Sequence, residues 1–254
     1  MNFTNSKLVS YTAISPNRNS PRNHVIDTIT IHCMAGNCTV EQCGAIFAPS
    51  SRQASSNYGI GSDGRIALYC PESDRSWCTS SAANDNRAVT IEVANDGGAE
   101  TGWHVSDKAF AALLDLVTDI CARNGIKKLL WRGDKSLIGQ IDKQNMTVHR
   151  WFAAKSCPGD YLFNRHAQIA AEVNRRLNLA AAASPVMYRV QIGAFRIKNN
   201  AVALSKKAQN AGIANYIHSI DGKYFVYAGV FTLRSNAENM VRRCKAAGFE
   251  AFVV

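Results

Sequence analysis

The chain has 254 residues, which suffices for one large domain or two modest ones. Its composition, 46% hydrophobic and 19% charged, is that of a globular protein and excludes an intrinsically disordered one. The net charge of +10 is uneven: residues 186–254 carry ten Lys/Arg against three Asp/Glu, and the remainder carries nineteen against sixteen. This basic C-terminal part predicts an anionic partner, either nucleic acid or a wall or membrane surface. A solvated basic face without a partner is the alternative.

No apolar run approaches the roughly 18 residues of a membrane span, and residues 1–7 lack the apolar core of a signal peptide. We therefore expect a protein without a membrane span that is made in the cytoplasm. In that reducing compartment, eight cysteines argue against a disulfide framework and leave thiols free to bind a metal.

Strands and helices are mixed along the first 178 residues. The predicted strands are bounded by turn signals and span residues 25–32, 55–60, 65–69, 89–94 and 129–131. The predicted helices span residues 40–47, 106–124 and 161–177, and the longer two carry apolar residues at helical spacing. Strands mixed with flanking helices predict an α/β domain over residues 1–178.

A second, smaller domain is predicted by an internal repeat with a period of 36 residues. Residues 179–186, rich in alanine, are interpreted as a linker. Beyond it, the segment VQIGAF at 190–195 matches VYAGVF at 226–231, and each repeat has the pattern strand, helix, strand. Two such units predict a ferredoxin-like β-α-β-β-α-β fold over residues 187–254, with one sheet and both helices on one of its faces.

The segment TVHRWFAAKSCPG, at 147–159, brings a histidine, a lysine and a cysteine within nine residues. His149 and Cys157 together suit zinc, which binds nitrogen and sulfur ligands, but two ligands do not hold a catalytic zinc ion. The best candidate for a third ligand is His32, at the end of a strand rich in β-branched residues. Three protein ligands would leave the fourth tetrahedral position open for water.

With these residues in view, the chain resembles the zinc-dependent N-acetylmuramoyl-L-alanine amidases of type 2. Phage lysozyme-amidases and peptidoglycan recognition proteins are relatives of that family. The resemblance covers about residues 20 to 178 and is carried, in the family's order, by residues 28–32, 56–60, 63–64, 90–93 and 149–157. It implies a mixed central sheet with flanking helices and hydrolysis of the amide bond between N-acetylmuramic acid and L-alanine.

The resemblance also implies three catalytic residues. Lys155 would stabilise developing negative charge, and Tyr58 would orient water or donate to the tetrahedral intermediate. Glu92 matches the general base of some members, whereas the phage type relies on the tyrosine and the lysine. Both sets are present here, so which residue takes the proton stays open.

Three further cysteines are compared with the family pattern. Cys38 and Cys43 match a close pair that forms a disulfide in peptidoglycan recognition proteins, and in a reducing cytosol we expect this pair to stay reduced. Cys78 follows Trp77 at a position where many members have histidine.

Residues 188–254 resemble the SPOR domain, which binds peptidoglycan, notably glycan strands stripped of stem peptides. An RNA-binding fold has the same topology, and the segment KYFVY at 223–227 places aromatic residues on a strand, as base-stacking modules do. Because the full RNA-recognition signature is absent, we expect no nucleic-acid partner.

Three readings of the whole chain follow, and the last of them is a basic nucleic-acid-binding protein. The first is a zinc amidase that acts at the bacterial wall after release, either as a phage or prophage endolysin or as a bacterial autolysin. The second is a recognition protein that binds peptidoglycan without cutting it. Cys157 favours the enzyme, because non-catalytic relatives usually lack that ligand.

Overall fold

The computed structural model describes residues 3–183 and 186–254 and divides the chain into two compact units, Met1–Ala181 and Ala182–Val254. The predicted linker, 179–186, is only partly irregular. The last helix of the first unit continues to Ala183, because leucine and alanine are strong helix formers. Ser184 and Pro185 lie outside the described residues.

The first unit contains eight strands and five α-helices within its described residues. The strands are Tyr11–Thr12 (β1), Arg18–Asn19 (β2), Thr28–Cys33 (β3), Tyr58–Ile60 (β4), Ile66–Leu68 (β5), Arg75–Ser76 (β6), Ala88–Val93 (β7) and Met146–Thr147 (β8). The helices are Val40–Phe47 (α1), Ala82–Arg87 (α2), Asp107–Arg123 (α3), Gly159–Phe163 (α4) and His166–Ala183 (α5).

Six of these strands form one sheet in the order β1-β5-β4-β7-β3-β8. Strand β3 runs parallel to β7 and β8, and β4 is parallel to β7 but antiparallel to β5. The sheet is therefore mixed, as expected for the fold class. Strands β2 and β6 form a separate two-stranded ribbon.

The register of the central strands decides which residues face the site. His32 pairs with Glu92, and Glu92 pairs with Gly59 on the other side, so these three positions lie on one face of the sheet. Tyr58 and Ile91 lie on the opposite face, which packs into the main apolar core together with α3 and α5.

The predicted strand at 129–131 is wrong. The backbone N–H groups of Leu129 and Leu130 donate to the side-chain oxygens of Asn174 and Asn145, respectively. Because side chains satisfy these donors, the segment forms no ladder, and β8 takes the edge position beside β3 instead.

The second unit is a four-stranded antiparallel sheet covered by two helices. Its elements are Tyr188–Phe195 (β9), Lys198–Asn210 (α6), Tyr216–Ile220 (β10), Lys223–Phe231 (β11), Arg234–Ala246 (α7) and Phe252–Val253 (β12). The strand order is β10-β11-β9-β12, and both helices contact β9 and β11. Its core is formed by small and branched residues, among them Val190, Ile192, Val226 and Ala228. The predicted β-α-β-β-α-β topology is confirmed.

None of the helices in the described parts of the chain combines the length and the apolar character that crossing a bilayer requires.

Candidate metal centre and active site

His32 is the candidate metal ligand that the central sheet holds in place. It lies on the central strand β3 and is fully buried, which lowers the pKa of its imidazole well below the ordinary value. Its Nδ1 lies 3.3 Å from Cys157 Sγ, and its ring centre lies 5.1 Å from that of His149. Its Nε2 is buried without a hydrogen-bond partner among the described residues.

His149 and Cys157 come from the loop that follows β8. This loop is held beside β3 because β8 pairs with β3, and Arg150 N–H donates to Cys157 O at 3.1 Å to close it. One donor atom from each of His32, His149 and Cys157 lies within 4.8 Å of the other two. Two imidazoles and one thiol are donors that suit zinc, so the residues present fit the metal that the sequence predicts.

Glu92 lies next to this donor set on β7. Its Oε1 is 4.0 Å from His32 Nδ1 and accepts a hydrogen bond from Cys78 Sγ at 3.9 Å. Its Oε2 is buried and has no partner in the part of the chain that the structure describes. Burial and the nearby Cys33 raise the pKa of this carboxyl well above its ordinary value.

Cys33 and Cys78 were missed as site residues. Cys78, His32 and Glu92 form a second group of donors within 4.8 Å of one another, and Cys33 lines the same cavity as Cys157. Their positions gave a signal: Cys33 directly follows a proposed ligand, and Cys78 replaces the histidine that is common in the family.

Lys155 is exposed on the same loop as His149 and Cys157. Burial and the positive charge of Lys155 together lower the pKa of His149. Ser80 Oγ lies 3.4 Å from Nε2 of this histidine. The structure thus brings Lys155 to the candidate centre.

Tyr58 does not reach the centre, contrary to the role that the family resemblance implies for it. Its hydroxyl is buried on the opposite face of the sheet, where it donates to Glu72 Oε1 at 2.7 Å and accepts from Ser6 N–H at 2.9 Å. Arg123 Nη2 donates to the same oxygen of Glu72 at 2.6 Å. Tyr58 therefore belongs to a structural network, because successive residues of a strand face opposite sides.

Two cavities meet at the centre, and Arg52, His149 and Lys155 line both. The larger, of about 560 Å³, is also lined by Arg75 and Trp77. Trp77 Nε1 donates to Asn19 Oδ1 at 2.6 Å, which holds the indole at the ribbon formed by β2 and β6.

The smaller cavity, of about 270 Å³, is lined largely by apolar and sulfur-containing side chains, among them Met34, Cys38, Cys43 and Phe47. Cys38 and Cys43 are free thiols in the structure.

A carboxylate beside nitrogen and sulfur donors, at the junction of two open cavities, is the arrangement of a metal-dependent hydrolase. The profile of the N-acetylmuramoyl-L-alanine amidase family matches residues 22–160, and that of the SPOR domain matches residues 184–254. The chain belongs to the N-acetylmuramoyl-L-alanine amidase family and is a peptidoglycan hydrolase.

Similar solved structures include domains of both kinds. The peptidoglycan-binding domain of the Bacillus subtilis cell wall lytic enzyme CwlC is 41% identical, covering 27% of this chain and 86% of its own (TM-score 0.26). The endolysin N-acetylmuramoyl-L-alanine amidase LysCS from Clostridium intestinale is 18% identical, covering 68% and 99% (TM-score 0.46). An AmpD derivative is 15% identical, covering 49% and 81% (TM-score 0.40). A search of curated proteins gave no match.

These findings confirm the predicted amidase function, the SPOR-like C-terminal domain and peptidoglycan as the partner. The exact domain bounds, 1–178 and 187–254, stay a prediction.

Proposed function

We propose that the chain is a zinc-dependent amidase in which His32, His149 and Cys157 hold the metal. The observation that carries this proposal is the convergence of these three donors, from a central strand and a distant loop, within 4.8 Å. Bound zinc supplies Lewis acidity and lowers the pKa of a water molecule towards about 7.

The remaining chemistry falls to Glu92 and Lys155. Glu92 lines the smaller cavity, and its unpartnered Oε2 accepts the proton of the attacking water and later delivers it to the leaving amine. The Lys155 ammonium group, which lines both cavities, stabilises the negative charge that develops on the amide oxygen. The scissile amide would therefore lie where the two cavities meet.

We also propose that residues 1–178 form the catalytic domain and that residues 187–254 bind the glycan through the open face of their sheet. Tyr216 and Tyr227 pair across β10 and β11, with ring centres 5.5 Å apart, and the Phe225 ring stacks at 6.1 Å from that of Tyr227. Tyr216 is exposed and Phe225 is partly exposed, while the buried Tyr227 packs against both, so the two outer rings offer apolar faces to sugar rings. In this proposal the protein acts at the bacterial wall after release, as an endolysin or an autolysin.

The test combines metal analysis with mass spectrometry of digested cell walls. We expect one zinc per chain, and products with a free lactyl carboxyl group on N-acetylmuramic acid and a free amino group on L-alanine. Cys157→Ser and His149→Ala should lose both zinc and activity. His24→Ala, at a surface histidine outside both cavities, serves as the matched control. Stoichiometric zinc without bond cleavage would favour the recognition-protein alternative and overturn the proposal.

A further inference from the structure

We propose that Arg150 is a positioning residue that fixes Lys155 and Cys157 relative to His149. The proposal rests on the function proposed above, because it assigns Arg150 to the geometry of that centre. Arg150 directly follows His149 in sequence, and its side chain returns to the other end of the same loop.

Arg150 makes five contacts with four residues, and we call this set of contacts the latch. Arg150 N–H donates to Cys157 O at 3.1 Å, and Nη2 donates to Ser156 O at 2.5 Å. Nη1 and Nη2 donate to Asp160 Oδ1 at 3.0 and 3.1 Å. The guanidinium carbon lies 4.7 Å from the ring centre of Phe163, within the range of a cation–π contact.

These contacts link the two ends of the loop that carries the reactive groups. The backbone bond closes the loop between residues 150 and 157, and the side-chain bond to Ser156 fixes the carbonyl between Lys155 and the proposed ligand Cys157. Asp160 and Phe163 belong to α4, so the same guanidinium also joins the loop to that helix. Lys155 is exposed, and no hydrogen bond or ion pair of its ammonium group is found among the described residues, so its backbone sets its position.

The requirement is for arginine rather than for any cation. A planar guanidinium can donate to a carbonyl and a carboxylate at the same time while its face rests on an aromatic ring. A lysine side chain would keep the positive charge, but its compact ammonium group lacks the planar set of N–H donors that lets arginine bond the carbonyl and the carboxylate together. Arg150→Lys should therefore preserve these contacts only in part.

The side-chain contacts of Arg150 are local, and the fold as a whole does not depend on them. The Arg150 side chain is 24% exposed and its partner Asp160 is 70% exposed, so the ion pair lies at the surface. A neighbouring arginine offers a matched control. Arg165 lies 3.7 Å over the Tyr161 ring and donates to Tyr161 O, and none of these contacts involves residues 149–157.

The experiment compares Arg150→Met, Arg150→Lys and Asp160→Asn with Arg165→Met in the full chain. Zinc affinity is measured by chelator competition, kcat and KM with a soluble muropeptide, and folding by the thermal transition. For Arg150→Met we expect roughly 10- to 100-fold weaker zinc binding, as for other groups that orient metal ligands. We also expect a fall in kcat that exceeds any change in KM. Arg150→Lys should lie between Arg150→Met and the wild type, and Asp160→Asn should have the smaller effect because the bond to Ser156 remains.

Wild-type zinc affinity and kcat in Arg150→Met would overturn the proposal. So would equal losses in Arg150→Met and Arg165→Met that follow the thermal transition, since the role would then be structural. If Arg150→Met does not fold, wild-type zinc affinity and kcat in both Arg150→Lys and Asp160→Asn would also overturn it. A wild-type chain that binds no zinc or cleaves no amide would instead contradict the proposed function and, with it, the positioning role of Arg150.

Discussion

His32 and Glu92 occupy paired positions on adjacent parallel strands, and Nδ1 of the first lies 4.0 Å from Oε1 of the second. The backbone ladder between β3 and β7 therefore sets the separation of a proposed metal ligand and a proposed proton acceptor. Both side chains lie on rigid elements, which is the arrangement that precise chemistry requires.

Glu92→Gln should keep zinc and lose most of the activity. The amide has nearly the same shape as the carboxylate but cannot accept a proton, and general-base catalysis is typically worth about 10²–10⁴-fold in rate. The measurement is kcat with a soluble muropeptide, alongside zinc content. Glu41→Gln is the control, because Glu41 forms an exposed ion pair with Arg65. An active Glu92→Gln enzyme would remove Glu92 from the mechanism.

Lys155→Ala should also retain zinc, with kcat lower by about 10²–10³-fold, the usual result of removing a group that stabilises an oxyanion. Lys155→Arg should recover part of the rate because it restores a positive charge. Lys143→Ala is the matched control, since Lys143 is exposed and bonds only to Gln140 among the residues described. Unchanged turnover in Lys155→Ala would show that the lysine is a surface charge.

Tyr58→Phe should leave turnover unchanged and destabilise the first unit. The substitution removes the hydroxyl that bonds Glu72 and Ser6 in a buried site, which should cost about 1–3 kcal/mol of unfolding free energy. Urea denaturation followed by tryptophan fluorescence measures this, because Trp77, Trp103, Trp131 and Trp151 all lie in the first unit. A large fall in kcat with normal stability would instead assign Tyr58 a catalytic role.

His166 should make the first unit less stable at mildly acidic pH. Its ring is buried against Trp131, and burial lowers the pKa of the imidazole from 6.5 to about 4. Between these values the unfolded chain binds a proton that the folded chain does not, so stability falls as the pH falls through this window. The two pKa values give a loss of about 2 kcal/mol between pH 7.5 and pH 5.

His166→Phe should lack this component of the pH dependence. The comparison is between the changes in urea midpoint of the two proteins over the same pH range, so that other titrating groups cancel. Equal changes in wild type and variant would contradict the prediction.

A chain that ends after Ala183 should still hydrolyse soluble muropeptides at close to the full rate, because each unit has its own core. It should bind cell walls more weakly, as measured by co-sedimentation. Phe225→Ala in the full chain should weaken sedimentation in the same direction. If the shortened chain pellets with walls as well as the intact one, the wall-binding role of residues 187–254 is wrong.

Much of the fold was accessible from the sequence. The apolar periodicity of α3, the β-branched residues of β3 and the 36-residue repeat each reflect local geometry, and the described elements agree with them. The three proposed donors were also identifiable, because His149 and Cys157 occur in one short segment and His32 ends a strand rich in β-branched residues.

What escaped prediction depended on side-chain direction and on distant partners. The segment at 56–60 marks a strand near the site, but a shift of one residue moves a side chain to the other face. Gly59 occupies the site face, and Tyr58 the core face. The contact of Arg150 with Asp160 and the bond from Cys78 to Glu92 arise only when the loops are closed, so no local pattern indicates them.

The 125-residue separation between His32 and Cys157 has a consequence for biosynthesis. During translation the last proposed donor, Cys157, is added only after more than half of the chain has been synthesised. If the proposed ligand set is right, a nascent or prematurely terminated product that ends before residue 157 has an incomplete set of ligands. Such an unfinished product is therefore expected to lack amidase activity.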